Sequence, residues 1–266
     1  MNMIKLNTWR FIDTKIGSAY WNMAVDEALL EGFREGDLPI LRLYGWENAL
    51  SVGKFLNISK SVNMKKIEHQ KIPVVRRMSG GGVLVHGGDL SYTLILPRES
   101  LKDRGVKESY HHLCGFLLRL YEMLRYPADF VRDSQCNEVK SDICLAGNET
   151  YDILINGDKM GGNAQRHTHH ALFQHGSIPM RLDEALFNPL FIGESGLERA
   201  ATLERLGTFI EYESLSLLVR EAFCETFEVN LVSEPLRISE EERAKELLIH
   251  KYTQQRWNYD GKTIYP

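Results

Sequence analysis

The sequence predicts an α+β domain in which a mostly antiparallel sheet is flanked by helices. Three observations lead there. Residues 22–34 repeat apolar positions at helical spacing, and five short strand-like segments follow between 40 and 96. Helical patterns then dominate the end of the chain, over 183–191, 212–227 and 239–252. Strands gathered in one region, without strict strand–helix alternation, are the α+β pattern. At 266 residues with 43% hydrophobic content, and with no repeat, low-complexity tract or linker, a single domain over 1–266 is expected, with about 210–266 as a helical C-terminal flank.

Taken in order, NMAVDEALLEGFR at 22–34 places Met23, Val25, Ala28, Leu29 and Phe33 on one helical face, with Asn22 as the N-cap. Strand signals follow in ILRLY (40–44), ALSVG (49–53), IPVVRR (72–77), VLVH (83–86) and LSYTLIL (90–96). Residues 106–125 carry a stripe of Tyr110, Leu113, Cys114, Leu117, Leu118, Tyr121 and Leu124, an amphipathic helix that ends before Pro127. Periodicity vanishes between 129 and 149, a polar stretch with Cys136 and Cys144 that is longer than a connection requires. Strands return in TYDILIN (150–156) and ALFQHGSIPM (171–180).

Composition narrows the function. The 36 acidic and 32 basic residues leave a net charge of -4, which gives no general electrostatic case for nucleic acid or an anionic membrane. The start, MNMIKLNTWRF, lacks the apolar core of a signal peptide, and no stretch approaches the roughly 18 apolar residues of a membrane span; a cytoplasmic location is the expectation. The four cysteines show no C-x-x-C spacing. His167, His169, His170 and His175 cluster without a carboxylate or thiolate at ligand spacing, so no metal is expected and a solvated or substrate-lining loop is the reading.

Two glycine-rich stretches carry candidate chemistry. RRMSGGGVLVH fits neither G-x-G-x-x-G nor G-x-x-x-x-G-K-[ST] and leads into a strand; it is a bulged hairpin, or a turn whose amides approach an anion beside Arg76 and Arg77. In NGDKMGGNAQ, Asn156-Gly157 marks a turn, and Gly161, Gly162 and Ala164 leave room beside Lys159. That lysine is either a solvated turn residue or a cation for a developing oxyanion or phosphate. Cys114 and Cys224 sit in helical patterns as packing residues. Cys144 belongs to no apolar stripe and stands 15 residues before Lys159, whose ammonium would favour a thiolate; an inert thiol is the alternative.

RRMSGGGVLVH and GDKMGGNAQ together resemble the two motifs of the lipoate-protein ligase A and octanoyltransferase superfamily. TWRFIDT, NMAVDEALL, LRLYGWENALSVGKFLN, HGGDLSYTL, DICLAGNETYDILINGDK, LFQHGSI and KYTQQRWNY make the chain look most like LipM-type octanoyltransferases. The resemblance implies the catalytic fold shared with biotin-protein ligases, and transfer of octanoyl from acyl carrier protein to the lysine of an apo lipoyl domain through a cysteine thioester. The acceptor would be a glycine-cleavage H protein or a dehydrogenase acyltransferase subunit, and no cofactor is implied. It places Cys144 as the nucleophile and Lys159 as the superfamily lysine. Arg76, Arg77, Ser79, Gly80, Gly81, Gly82, His86, Gly162 and Ala164 become substrate-binding, with Val83 and Val85 lining a tunnel for the acyl tail. Lys54, Lys60, Lys65 and Lys66 guide acidic partners or are an ordinary basic patch. Gly82 stands where LipM-like chains often carry Arg, and Ser-Gly-Gly-Gly resembles ATP-dependent lipoate ligases, which use ATP and Mg2+ to make lipoyl-AMP. A non-catalytic lipoyl-domain binding module is the third alternative.

Overall fold

The structure is a computed structural model that describes residues 7–101, 104–131 and 152–262. Strand β1 (Thr8–Gly17) precedes the first helix, α1 (Ala19–Gly32). The expected order of helix before strands is therefore corrected. Ser18 caps α1, accepting from Trp21 N at 3.3 Å, while Asn22 lies inside the helix and donates to Gly45 O at 2.8 Å. The cap thus falls four residues earlier than the apolar periodicity suggests, because the first turn carries two half-buried aromatics, Tyr20 and Trp21, instead of core positions.

Next come β2 (Ile40–Trp46), β3 (Ala49–Val52), α2 (Met64–Gln70), β4 (Val74–Arg76), β5 (Val83–His86) and β6 (Asp89–Pro97). The 106–125 stripe forms two helices, α3 (Val106–Leu113) and α4 (Gly115–Met123), meeting at Cys114. They are followed by β7 (Ala128–Phe130), β8 (Ile153–Ile155), β9 (Asp158–Lys159), β10 (Gly162–His167) and β11 (Ala171–Pro179). The chain finishes with α5 (Glu184–Phe187), α6 (Tyr212–Phe227), β12 (Asn230–Ser233), α7 (Ile238–Leu247) and α8 (Gln255–Asp260). The final stretch is not only a helical flank, since β12 extends the main sheet beside β1.

The main sheet has the order β10-β11-β6-β2-β1-β12, antiparallel from β10 to β2 and parallel across β2, β1 and β12. Its two faces differ. One carries Leu41, Leu43, Leu94 and Leu172 against Phe116, Leu120, Val219 and Phe223 of α4 and α6. The other packs Ile40, Ile95 and Phe173 on α1 and α7, then turns polar toward one end. There, Arg42, Thr93, His175 and Ala164 form one row across the sheet, and Tyr44, Ser91, Ser177 and Gly162 the next. A second sheet, β4-β3-β5, lies beyond this polar end, and a third, β7-β8-β9, holds the Asn156-Gly157 turn at positive φ.

Candidate functional site

The glycine turn between β4 and β5 hangs over the polar rows and is held by its own backbone: Gly53 N donates to Gly82 O at 3.2 Å and Lys54 N to Ser79 O at 2.8 Å. Gly81 has φ +99°, and a Cβ on Gly53 would meet Gly81 O at 1.9 Å, so two of these positions admit only glycine. Gly80 faces open space. Arg77 tightens the turn, donating to Gly82 O at 2.9 Å, Gly80 O at 3.2 Å and Ser51 Oγ at 2.7 Å.

Two hydrogen-bonded chains converge here. In the first, Ser51 Oγ meets His86 Nε2 at 2.7 Å and His86 Nδ1 meets Asp89 Oδ2 at 2.9 Å. A carboxylate only accepts, so the ring proton lies on Nδ1 facing Asp89, and Nε2 is left to accept from Ser51, whose oxygen accepts from Arg77. Ser91 donates to the same carboxylate and accepts from Trp46 Nε1, whose ring stacks on His86 at 3.9 Å. In the second chain, Ser79 Oγ meets His175 Nε2 at 2.6 Å and His175 Nδ1 stands 3.5 Å from Asp26. Asp26 is paired with Arg42 at 2.6 Å and accepts from Thr93 and Tyr44. Burial alone would raise the Asp26 pKa, but the Arg42 guanidinium and His175 outweigh it and hold the carboxyl below its usual range. Burial also pushes His175 below its ordinary value, against the opposing pull of Asp26.

The two chains wall a cleft whose apolar surfaces are Tyr44, Trp46 and Leu84, with Gly162, Ala164 and Gly176 keeping it open. Of the predicted binding residues, Arg77, Gly80, Gly81, His86, Gly162 and Ala164 line this one cleft. Ser79 sits beneath it on His175. Gly82 contributes a carbonyl to the turn and not a wall.

Arg76 is corrected. Its guanidinium is spent on the carbonyls of Gly53, Lys54, Leu56, Trp257 and Tyr259, pinning α8 to the turn. Neighbouring side chains on a strand point to opposite faces, so Arg77 reaches the cleft and Arg76 cannot. The same alternation corrects the tail lining: Leu84 faces the cleft, while Val83 and Val85 do not line it and Val85 faces a neighbouring cavity.

Lys159 is 4% exposed and ion-paired with Asp152 at 2.6 Å, so it is not a solvated turn residue. A Cβ on Gly161 would meet Ser177 O at 2.0 Å, which fixes the close approach of the Lys159 turn to β11. Cys136 and Cys144 lie outside the described residues. Burial pushes the Cys114 thiol up to about 12, in keeping with a packing role. The histidine cluster is split: His169 and His170 are exposed, whereas His175 is buried in the site. Lys60, Lys65 and Lys66 are exposed and Lys54 half-buried.

Ser51, Asp26, Asp89, Ser177 and Trp46 were not singled out by sequence reasoning. Their signal was the polar residues interrupting otherwise apolar strands, as in Ser91 and Thr93 of LSYTLIL and Arg42 of ILRLY.

This arrangement has known counterparts. Residues 18–208 match the lipoyl protein ligase A/B catalytic domain. Octanoyltransferase LipM of Exiguobacterium sp. (strain ATCC BAA-1283 / AT1b) is 32% identical over 94% of this chain and 97% of its own. Octanoyltransferase LipM of Bacillus subtilis (strain 168) is 32% identical over 95% and 98% respectively. Among solved structures, a lipoate-protein ligase A bound with ATP superposes with a TM-score of 0.84 at 22% identity, covering 96% of this chain and 100% of that one. A bi-partite lipoate protein ligase from Thermoplasma acidophilum gives 0.81 at 20%, covering 96% and 97%; both likenesses concern the fold. With the glycine turn, the Lys159 turn and strands β2 to β11 all inside the matched span, the chain belongs to the lipoyl protein ligase A/B catalytic domain family.

Proposed function

We propose that this octanoyltransferase moves octanoyl from octanoyl-acyl carrier protein to the lysine of an apo lipoyl domain through a thioester on Cys144. The Cys144 thiolate attacks the donor thioester carbonyl, and the carrier's thiol leaves as the enzyme thioester forms. The acceptor lysine, as free amine, then attacks; the new amide C–N bond forms, the C–S bond breaks, and the proton lost by nitrogen restores the thiol. No cofactor enters either step. The Lys159 ammonium, held by Asp152, favours thiolate and stabilises the oxyanion of each tetrahedral intermediate, a contribution of a few kcal/mol. The cleft beneath Gly80 and Gly81 takes the octanoyl tail against Trp46 and Leu84.

One observation carries the preference over an ATP-dependent ligase: the two arginines beside the glycine turn are already committed. Arg77 grips the turn's own carbonyls and Arg76 faces away from the cleft. A triphosphate with Mg2+ needs cations directed at it, and Gly82, the residue that resembles the ligases, lies outside the cleft lining. Lys60, Lys65 and Lys66, with Phe55 at 85% exposure beside Lys54, form the surface on which the acidic protein partners dock.

Intact-mass measurement tests this. Octanoyl-acyl carrier protein should leave an octanoyl adduct on the enzyme that is absent in Cys144→Ser, and the lipoyl domain should gain octanoyl without ATP. Modification that depends on ATP and survives Cys144→Ser would return the ligase reading; no modification under either condition would leave a binding module.

A further inference from the structure

A second cavity opens on the far side of His86 and Ser177, which it shares with the acyl cleft. Its inner wall is apolar, formed by Val85, Leu182 and Phe187, and its rim carries Asp183, Glu204 and Arg181. Asp89 also faces it, but that carboxylate is engaged by His86 and Ser91. The charged lining is thus three carboxylates against one guanidinium, a poor match for a polyphosphate and a good one for a cation on an aliphatic stem.

The junction supplies the second observation. Ser177 is 5% exposed and lies on the wall of both cavities, so the little surface it keeps, with a hydroxyl that bonds no described residue, opens into them. Here it sits in register with Gly162, the smallest possible neighbour on β10, so the space beside it is kept clear. Ser177 and His86 thus join the tail cleft to the cation-favouring cavity.

We infer that this cavity is the approach for the acceptor's lysine side chain: its methylenes lie along Val85, Leu182 and Phe187, its ammonium is drawn in by Asp183 and Glu204 and yields a proton to a carboxylate there, and its nitrogen reaches Ser177 at the junction as the free amine. The inference rests on the transferase reading above and adds the path by which one substrate arrives. The donor's arm carries no cation for those two carboxylates to attract, so they assist the second half of the reaction.

The test separates the two halves. The doubly neutral variant Asp183→Asn/Glu204→Gln keeps the cap on α5, since Asn accepts from Leu186 N as Asp183 does. Its octanoyl adduct should form from octanoyl-acyl carrier protein at the wild-type rate and discharge normally to hydroxylamine, a neutral nucleophile. The KM for an apo lipoyl domain should rise roughly three- to tenfold at low salt. Arg181→Gln should move that KM the other way, an outcome that misfolding does not produce. If adduct formation slows while lysine transfer is unchanged, the cavity serves the donor's arm and the inference falls. It also falls if both half-reactions match wild type, or if Arg181→Gln weakens the acceptor. Failure of the wild-type enzyme to form any adduct would instead overturn the transferase reading itself.

Discussion

The two serine–histidine–aspartate chains on either side of the cleft look alike on paper and differ in what anchors them. The Asp26 chain ends in a wholly buried ion pair: Arg42 is 0% and Asp26 1% exposed, and α1 and β2 meet through them. The Asp89 chain ends in a turn beside an open cavity and, at its other end, holds Arg77 on the glycine turn. The same chemical sequence therefore serves cohesion on one side and the shape of the substrate turn on the other. Neither serine is placed to act as a nucleophile, because Ser51 is 0% and Ser79 2% exposed and the Ser51 oxygen already accepts from Arg77.

The largest expected effect breaks the cohesive chain. Asp26→Asn leaves the Arg42 guanidinium buried without its counter-ion and should cost about 3–5 kcal/mol of stability, read by urea unfolding. A loss under about 1 kcal/mol would mean that Arg42 finds full compensation from Thr14 and Asn22, which already accept from it. Asp89→Asn, by contrast, should leave the unfolding free energy within about 1 kcal/mol of wild type. It should lower kcat/KM for octanoyl transfer by roughly tenfold, the value of a single charge-assisted hydrogen bond. If the two variants exchanged these phenotypes, the division of labour between the chains would be wrong.

The serines sharpen the contrast. Ser51→Ala removes the acceptor of Arg77 and the donor to His86 together, whereas Ser79→Ala removes only the partner of His175. The first should cost about 1–2 kcal/mol in transition-state binding and the second about half of that, measured as kcat/KM with the same acceptor.

How much of this was legible in the sequence depends on what each feature demands of the backbone. The strands between 40 and 96, and α6 at Tyr212–Phe227, are written in runs of apolar residues and emerge nearly as predicted. Strand β1 was missed because Asp13, Thr14 and Lys15 interrupt its apolar run just where the strand bulges and leaves the core. Strand β10, GNAQRH, is an edge strand with small or polar residues, so nothing in its composition announces a strand. At 114–115 the helix breaks where the residue after Cys114 is glycine, a step that the apolar stripe passes over.

The glycine turn was visible because close approach can only be written as glycine. The two chains were not, because one joins Ser51 to His86 across 35 positions and the other joins Asp26 to His175 across 149, through side chains whose types are common everywhere. Arg76 and Arg77 show the limit most sharply: two identical neighbours read as one cationic pair, yet strand alternation sends one into the framework and the other to the cleft.

The smallest effect tests the cohesive chain by pH. His175 is faced by Asp26, Arg77, His86 and Ser79, and burial is the largest influence on it, so its folded pKa lies below the ordinary imidazole value of 6.5. Between the folded and unfolded values the unfolded chain binds a proton that the folded chain refuses. Stability from this group is therefore complete above about pH 7.5 and declines as pH falls through 6.5. Wild-type unfolding free energy should fall between pH 7.5 and 5.5, and His175→Gln should flatten that fall. Part of it will remain, because His112 and His167 are shifted in the same direction by their own burial. A steeper fall in His175→Gln would mean that Asp26 holds His175 protonated in the folded state. The Ser79 hydroxyl would then be accepting from a cation, and the two chains would differ in charge as well as in anchorage.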